Sequence, residues 1–318
     1  MEIGGQTFDI IIDTLITTFF VQGDKCSDEY CAPPFHPSKA TSFYDSGKRY
    51  DEPYYGKSGE IVASDINISG EKVKNVFFDL IDTAVGIYPG SGVIGLGPNP
   101  LQGYPIKNST PNPILALYEQ KAIKNQLYSL YLGSIPYPFR DKKKTEKSLL
   151  TLGEIDKTLY TGNINYFSVK DKDFWEIDLD DVIINGKKLG INGRKIILDT
   201  GYPNIIMPPK DSTIINQLIP EAKLLKDDYM IPCNTSVKVS FVIGGVEYQI
   251  KTNDLINGYF TSDIQLPPDG WCMSAIYADS PDYDGPWHLG GTFFSSIYAV
   301  FDYKESKVGL AHAAPRKK

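Results

Sequence analysis

Residues 10–14 read Ile-Ile-Ile-Asp-Thr, and residues 196–200 read Ile-Ile-Leu-Asp-Thr, 186 positions further on. Each is a run of branched aliphatic residues that stops on a carboxylate, the pattern of a buried strand ending at Asp. Each is followed later by a second apolar run ending in Gly, Val93-Ile94-Gly95 and His288-Leu289-Gly290. One apolar-Asp-Thr stretch carries little weight, because Asp after a strand usually caps a turn. Two copies at half-chain spacing, each with its own Gly-ending partner, indicate two halves built to one plan.

The remaining composition agrees. A length of 318 residues suggests two domains, or one large one, at roughly 150 residues per domain. Apolar residues at 42% and charged residues at 22% give a globular balance and argue against disorder. Lys and Arg total 32 against 39 Asp and Glu, a net charge of -7, without the basic footprint of a nucleic-acid binder. Aromatics reach 12% while Ala numbers only 13, which favours strands over helices. The expected class is all-β with a few short helices.

Short Val-, Ile-, Tyr- and Phe-rich runs recur between turn signals: Glu60–Ile68, Val73–Ile81, Tyr128–Gly133, Leu149–Leu152, Val237–Ile243 and Glu247–Ile250. Gly244-Gly245 joins the last two as a hairpin, and Tyr303–Ser306 turns Tyr298–Phe301 into Val308–Ala311. One helix is expected from Asn112 as cap with Pro113 at its first position, and a second from Asp211 to just before Pro220. The charged stretch Arg140–Lys147 reads as a solvated loop tip. Residues 8–21, FDIIIDTLITTFFV, lack a basic leader and contain Asp9 and Asp13, so they read as core strand and not as a signal peptide.

Cys26 and Cys31 lie five apart, and Cys233 and Cys272 lie in the last third. Neither pair has zinc spacing, and His36, His288 and His312 are scattered. Three sequons, at Asn67, Asn108 and Asn234, mark glycosylation candidates. The even cysteine count and the sequons point to a secreted glycoprotein, extracellular or in a lysosome- or vacuole-like compartment.

Asp13 and Asp199 sit at corresponding places in the two halves. Two carboxylates sharing a site cannot both ionise cheaply, so such a pair retains one proton between them. One member can then deprotonate water while the other protonates a carbonyl. Here the sequence resembles the pepsin-like aspartic proteases over nearly its whole length. Asp199-Thr200-Gly201 is similar to the family's second catalytic motif. Pro286-Trp287-His288-Leu289-Gly290-Gly291-Thr292-Phe293, with Val300-Phe301-Asp302 and Lys307-Val308-Gly309-Leu310-Ala311, resembles its C-terminal block. Gly153-Glu154-Ile155-Asp156 with Tyr160-Thr161-Gly162 resembles the passage into the second lobe. The resemblance implies a bilobal fold with a deep interlobe cleft, an N-terminal lobe over residues 1–168 and a C-terminal lobe over 169–318. It also implies Asp13 and Asp199 as catalytic dyad and Thr14, Thr200 and Gly201 as its support. Tyr55 becomes the flap residue, and the disulfides are Cys26–Cys31 and Cys233–Cys272. No cofactor or metal is implied. The partner would be an extended peptide or protein substrate in the cleft of a monomer, with neither nucleic acid nor membrane involved.

The first motif departs from the family's Asp-Thr-Gly-Ser, reading Asp13-Thr14-Leu15-Ile16. Leu15 puts bulk where the family has Gly, and Ile16 stands in place of a hydroxyl donor. Tyr202 occupies the place of a Thr or Ser in the second motif, and Phe20 that of a frequent Trp. The family's first N-terminal strand is not recognised ahead of Ile10. Two readings follow: an acid endopeptidase with impaired activity, or an inactive homologue, a pseudoprotease, that binds a peptide, inhibitor or partner protein. A carbohydrate-binding β-protein of other ancestry does not account for the C-terminal block.

Overall fold

The computed structural model describes residues 1–27, 30–52, 57–83, 90–99, 112–134, 147–256 and 268–315. Strands dominate these residues, as the composition implies, and the longest of their four α-helices, Pro209–Gln217, has nine residues. Two compact units divide the chain. The first holds residues 1–127, 152–154 and 172–174, and the second residues 128–151, 155–171 and 175–318.

The first unit is built on one eight-stranded sheet. Its order runs Gln6–Thr7, Glu2–Ile3, Lys57–Ile68, Glu71–Ile81, Phe19–Gln22, Gly92–Gly95, Ile10–Asp13, with Tyr44–Glu52 also on Lys57–Ile68. The apolar run at 8–21 is not one strand. It breaks after Asp13 into a turn and resumes as Phe19–Gln22, because a carboxylate in mid-strand would have to be buried without donors. The long hairpin Lys57–Ile68/Glu71–Ile81 turns on Ser69 and Gly70, both at positive φ. Helix Pro113–Glu119 forms as its sequence suggests. The Asn112 side chain accepts from the Ile114 and Leu115 N–H groups, and Ile114 and Leu117 are buried.

The second unit carries several sheets. One is five-stranded, in the order Glu176–Leu179, Arg194–Leu198, Trp287–Leu289, Ile205–Met207, Ile276–Ala278. A second five-stranded sheet pairs Ile297–Asp302 with Lys307–Ala313. A four-stranded sheet contains the hairpin Val239–Ile243/Val246–Gln249, whose turn places Gly244 and Gly245 at φ 58° and 77°, values that favour glycine. Helix Pro209–Gln217 starts two residues before the expected Asp211, which lies inside it and is buried.

The two sheets repeat one motif. Ile10–Asp13 runs parallel to Gly92–Gly95, which is antiparallel to Phe19–Gln22, itself parallel to Glu71–Ile81. In the second unit Arg194–Leu198 runs parallel to Trp287–Leu289, which is antiparallel to Ile205–Met207, itself parallel to Ile276–Ala278. The repeat read from ten residues is therefore a repeat of four strands with the same pairing senses.

Both expected disulfides form, Cys26–Cys31 and Cys233–Cys272, with sequence separations of 5 and 39. Replacing Cys233 and Cys272 by Ser should lower unfolding free energy by about 4 kcal/mol, against about 2 kcal/mol for the shorter loop. Urea denaturation of the two double variants checks this, and equal or reversed losses would contradict it.

Candidate active site

In the first unit Asp13 ends its strand opposite Gly95 and is buried. Its Oδ1 accepts the backbone N–H of Leu15 at 2.7 Å and of Ile16 at 3.4 Å. Its carbonyl accepts from Leu96 at 2.7 Å, which ties the strand end to the neighbouring strand. The turn after Asp13 lies close against that strand: Gly95 N–H donates to Thr18 O and Gly97 N–H to Ile16 O, each at 2.8 Å. A Cβ on Gly95 would collide with the carbonyl oxygen of Thr18. The Ile16 side chain is fully buried in a cluster with Phe20, Ile81 and Val93, so only its N–H addresses the carboxylate. Phe20, which stands where the family often has a Trp, is in the same cluster. Leu15 is half-buried and Thr14 buried.

The second unit repeats this with different chemistry. Asp199 follows strand Arg194–Leu198 and is fully buried. Its N–H donates to Leu289 O at 3.2 Å, and its Oδ1 accepts the Gly201 N–H at 2.9 Å. Gly290 is the counterpart of Gly95, and a Cβ there would collide with the carbonyl oxygens of Tyr202 and Asn204. Thr200 is half-buried. The remaining oxygen of Asp199, Oδ2, lies 2.8 Å from Nδ1 of His288. The other ring nitrogen of His288 meets the Tyr283 hydroxyl at 3.3 Å, and that hydroxyl donates to Pro286 O at 2.6 Å. The Tyr202 ring stands edge-on to the imidazole at 5.9 Å and is 43% exposed.

A second set of bonds fixes the strand that carries His288. Trp287 is fully buried, and its indole N–H donates to Asp211 Oδ2 at 3.0 Å. Arg194, on the strand that ends at Asp199, donates to both oxygens of the same carboxylate at 2.7 and 3.0 Å. Asp211 thus links the strand before Asp199 to the strand of His288 through a bidentate charged pair.

The sequence pattern singled out the two aspartates but not His288, which the structure places against Asp199. The signal was present, because His288-Leu289 pairs in parallel register with Ile197-Leu198, immediately before Asp199. Tyr55 and Asn108 lie outside the described residues. Asn234 is exposed in a turn, while Asn67 is half-buried and accepts the Gly70 N–H. Among the described residues no group of three His, Cys, Asp or Glu side chains is arranged to hold a metal ion.

Residues 1–313 match the family model described as eukaryotic aspartyl protease. The chain belongs to that family. A probable aspartic-type endopeptidase CTSD of Arthroderma benhamiae is 29% identical over 314 residues, covering 96% of this chain and 58% of that protein. Gastricsin of Oryctolagus cuniculus is 27% identical over 330 residues, covering 97% and 79%. A pregnancy-associated glycoprotein of Equus caballus is 28% identical over 323 residues, covering 97% and 78%. The chain therefore spans little more than half the length of the first of these relatives. In this aspartyl protease family member, the pepsin-like resemblance read from the C-terminal block extends over essentially the whole chain.

Removing Arg194 should be costly, because Asp211 would remain buried with a single indole donor. Arg194→Leu is expected to lower stability by about 3 kcal/mol, the low end for breaking a buried pair, since the guanidinium is itself partly exposed. Urea unfolding measures it. An unchanged midpoint would show that the pair does not hold the two strands.

Proposed function

We propose that the chain is an aspartic endopeptidase whose Asp13 and Asp199 act as one acid–base pair on an extended peptide. The observation that carries this reading is the matched construction around the two carboxylates. Each is buried at the end of an apolar strand, and each has Oδ1 bound to the backbone N–H two residues on. In this reading one aspartate is ionised and the other protonated. The ionised one takes a proton from water as the water oxygen bonds to the scissile carbonyl carbon, and the protonated one gives its proton to the carbonyl oxygen. Collapse of the tetrahedral diol then transfers a proton to the amide nitrogen as the C–N bond breaks. Thr14 and Thr200 would brace the pair, with Gly201 leaving room beside Asp199.

Turnover is slow in this proposal, chiefly because of Leu15. Leu15 is half-buried and binds Asp13 through its N–H, and in this reading its isobutyl bulk opposes close approach of a peptide backbone. A second reading, a pseudoprotease that binds peptide without cutting it, draws support from Leu15 together with the exposed Tyr202 beside Asp199. The two disulfides favour an oxidising compartment, such as the secretory pathway or a vacuole, for either reading.

The test is cleavage of an unfolded protein from acidic to neutral pH, with and without a statine-type inhibitor. Inhibitor-sensitive cleavage supports the enzyme, and its absence in both the parent and Leu15→Gly supports the pseudoprotease. Leu15→Gly keeps the N–H that binds Asp13 and should raise kcat/KM about tenfold or more, corresponding to at least ~1.4 kcal/mol of relieved crowding. Ile16→Ser is a poor companion change, since emptying that core position should cost about 2–5 kcal/mol of stability.

A further inference from the structure

Three Asn-Gly steps occur in the chain: Asn185-Gly186, Asn192-Gly193 and Asn257-Gly258, the last outside the described residues. Asparagine is a thermolabile residue, most of all before glycine, where no Cβ on the next residue shields its main-chain nitrogen. That nitrogen bonds to Cγ of the asparagine and loses its proton. The Cγ–Nδ2 bond breaks, ammonia leaves, and a succinimide ring closes. Water then opens the ring. Attack at Cγ leaves Asp in place of Asn, and attack at the main-chain carbonyl carbon routes the chain through Cγ as isoaspartate. No enzyme, metal or oxidant takes part. In a folded protein the rate depends on whether the side chain is free to swing onto the following nitrogen.

Both described asparagines are exposed, yet the structure separates them. Asn185 and Gly186 form the turn between strands Asp181–Ile184 and Lys187–Lys188, with Ile184 paired to Lys187 across it. Their φ values of 49° and 81° are those of the two-residue hairpin turn that Asn-Gly favours. Asn185 is also tied to Lys238. Its Oδ1 accepts the Lys238 N–H at 3.0 Å, and its own N–H donates to Lys238 O at 2.9 Å. Ring closure there has to break the turn and the side-chain bond together. Asn192 has neither restraint. It lies in the link between strands Lys187–Lys188 and Arg194–Leu198, and its side chain forms no hydrogen bond among the described residues. The attacking nitrogen, that of Gly193, donates to no group among them either. Gly193 has a φ of 71°, with no atom within 4 Å of the place a Cβ would take.

We propose that Asn192 is a site of spontaneous succinimide chemistry, converting to aspartate and isoaspartate, while its turn and Lys238 protect Asn185. The site borders the frame of Asp199. Arg194 opens the strand that leads to Asp199, and its guanidinium donates to both oxygens of the buried Asp211. Conversion puts a new carboxylate two residues before Arg194, and isoaspartate adds a main-chain carbon at the same point. The inference stands whether the chain cuts peptides or only binds them.

The test is to incubate the folded protein at mildly alkaline pH, where the glycine nitrogen gives up its proton more readily, and to map its tryptic peptides by mass. Trypsin cuts after Lys187 and Lys188, so the two asparagines report separately. The Asn192 peptide should gain the mass of an amide-to-acid exchange and resolve into aspartate and isoaspartate forms. It should convert about tenfold faster than the Asn185 peptide, or more, the ~1.4 kcal/mol that hydrogen bonding of this kind contributes. In urea the turn and the Lys238 bonds are gone, and the two peptides should convert at similar rates. Asn192→Gln should remove the conversion at position 192 and leave Asn185 as slow as in the parent. Conversion of Asn185 level with or ahead of Asn192 in the folded protein would overturn the proposal. So would an Asn192 that converts in urea but stays intact in the folded state.

Discussion

A carboxylate buried at the end of an apolar strand is the constraint on which the rest of the structure depends. Desolvation of such a group costs several kcal/mol unless donors replace the lost water. The fold supplies them from the turn that begins immediately after the Asp, where backbone N–H groups are not yet engaged in a ladder. Leu15 and Ile16 serve Asp13, and Gly201 serves Asp199. That turn must fold back against a neighbouring strand to stay buried, and only a residue without Cβ permits the contact. Gly95 and Gly290 meet that demand in the two units. The repeat of Asp-Thr and Gly along the chain is thus the sequence trace of one electrostatic problem solved twice.

The two solutions differ in their side chains. In the turn after Asp13, Ile16 turns its side chain into a buried cluster with Phe20, Ile81 and Val93. Around Asp199 the neighbours include His288, followed by Tyr283 and Tyr202, and a Trp287–Asp211–Arg194 network holds the strand behind them. If the two act as the proposed pair, they do so from unlike surroundings.

Much of this was legible in the sequence. The branched aliphatic run before each Asp, the Asn112-Pro113 helix start and the Gly244-Gly245 turn act locally, through strand sterics, capping and backbone freedom, so their pattern carries their structure. Reading 8–21 as continuous strand failed because apolar content does not reveal where a buried carboxylate forces a turn. Ile16 was legible as a missing hydroxyl but not as a core residue, since the direction of its side chain follows from the turn geometry. His288 was hidden for a different reason. Its partner, Asp199, is 89 residues away in the chain, and only parallel strand register brings them together.

The central claim is that Asp13 and Asp199 work as one unit, and a double-mutant cycle on single-turnover peptide cleavage tests it most directly. Members of one acid–base device are grossly non-additive, because removing either disables both. Asp13→Asn and Asp199→Asn should each lower the rate as far as the double variant does. Separate losses that add in the double variant, or appreciable cleavage surviving in either single variant, would contradict a shared site.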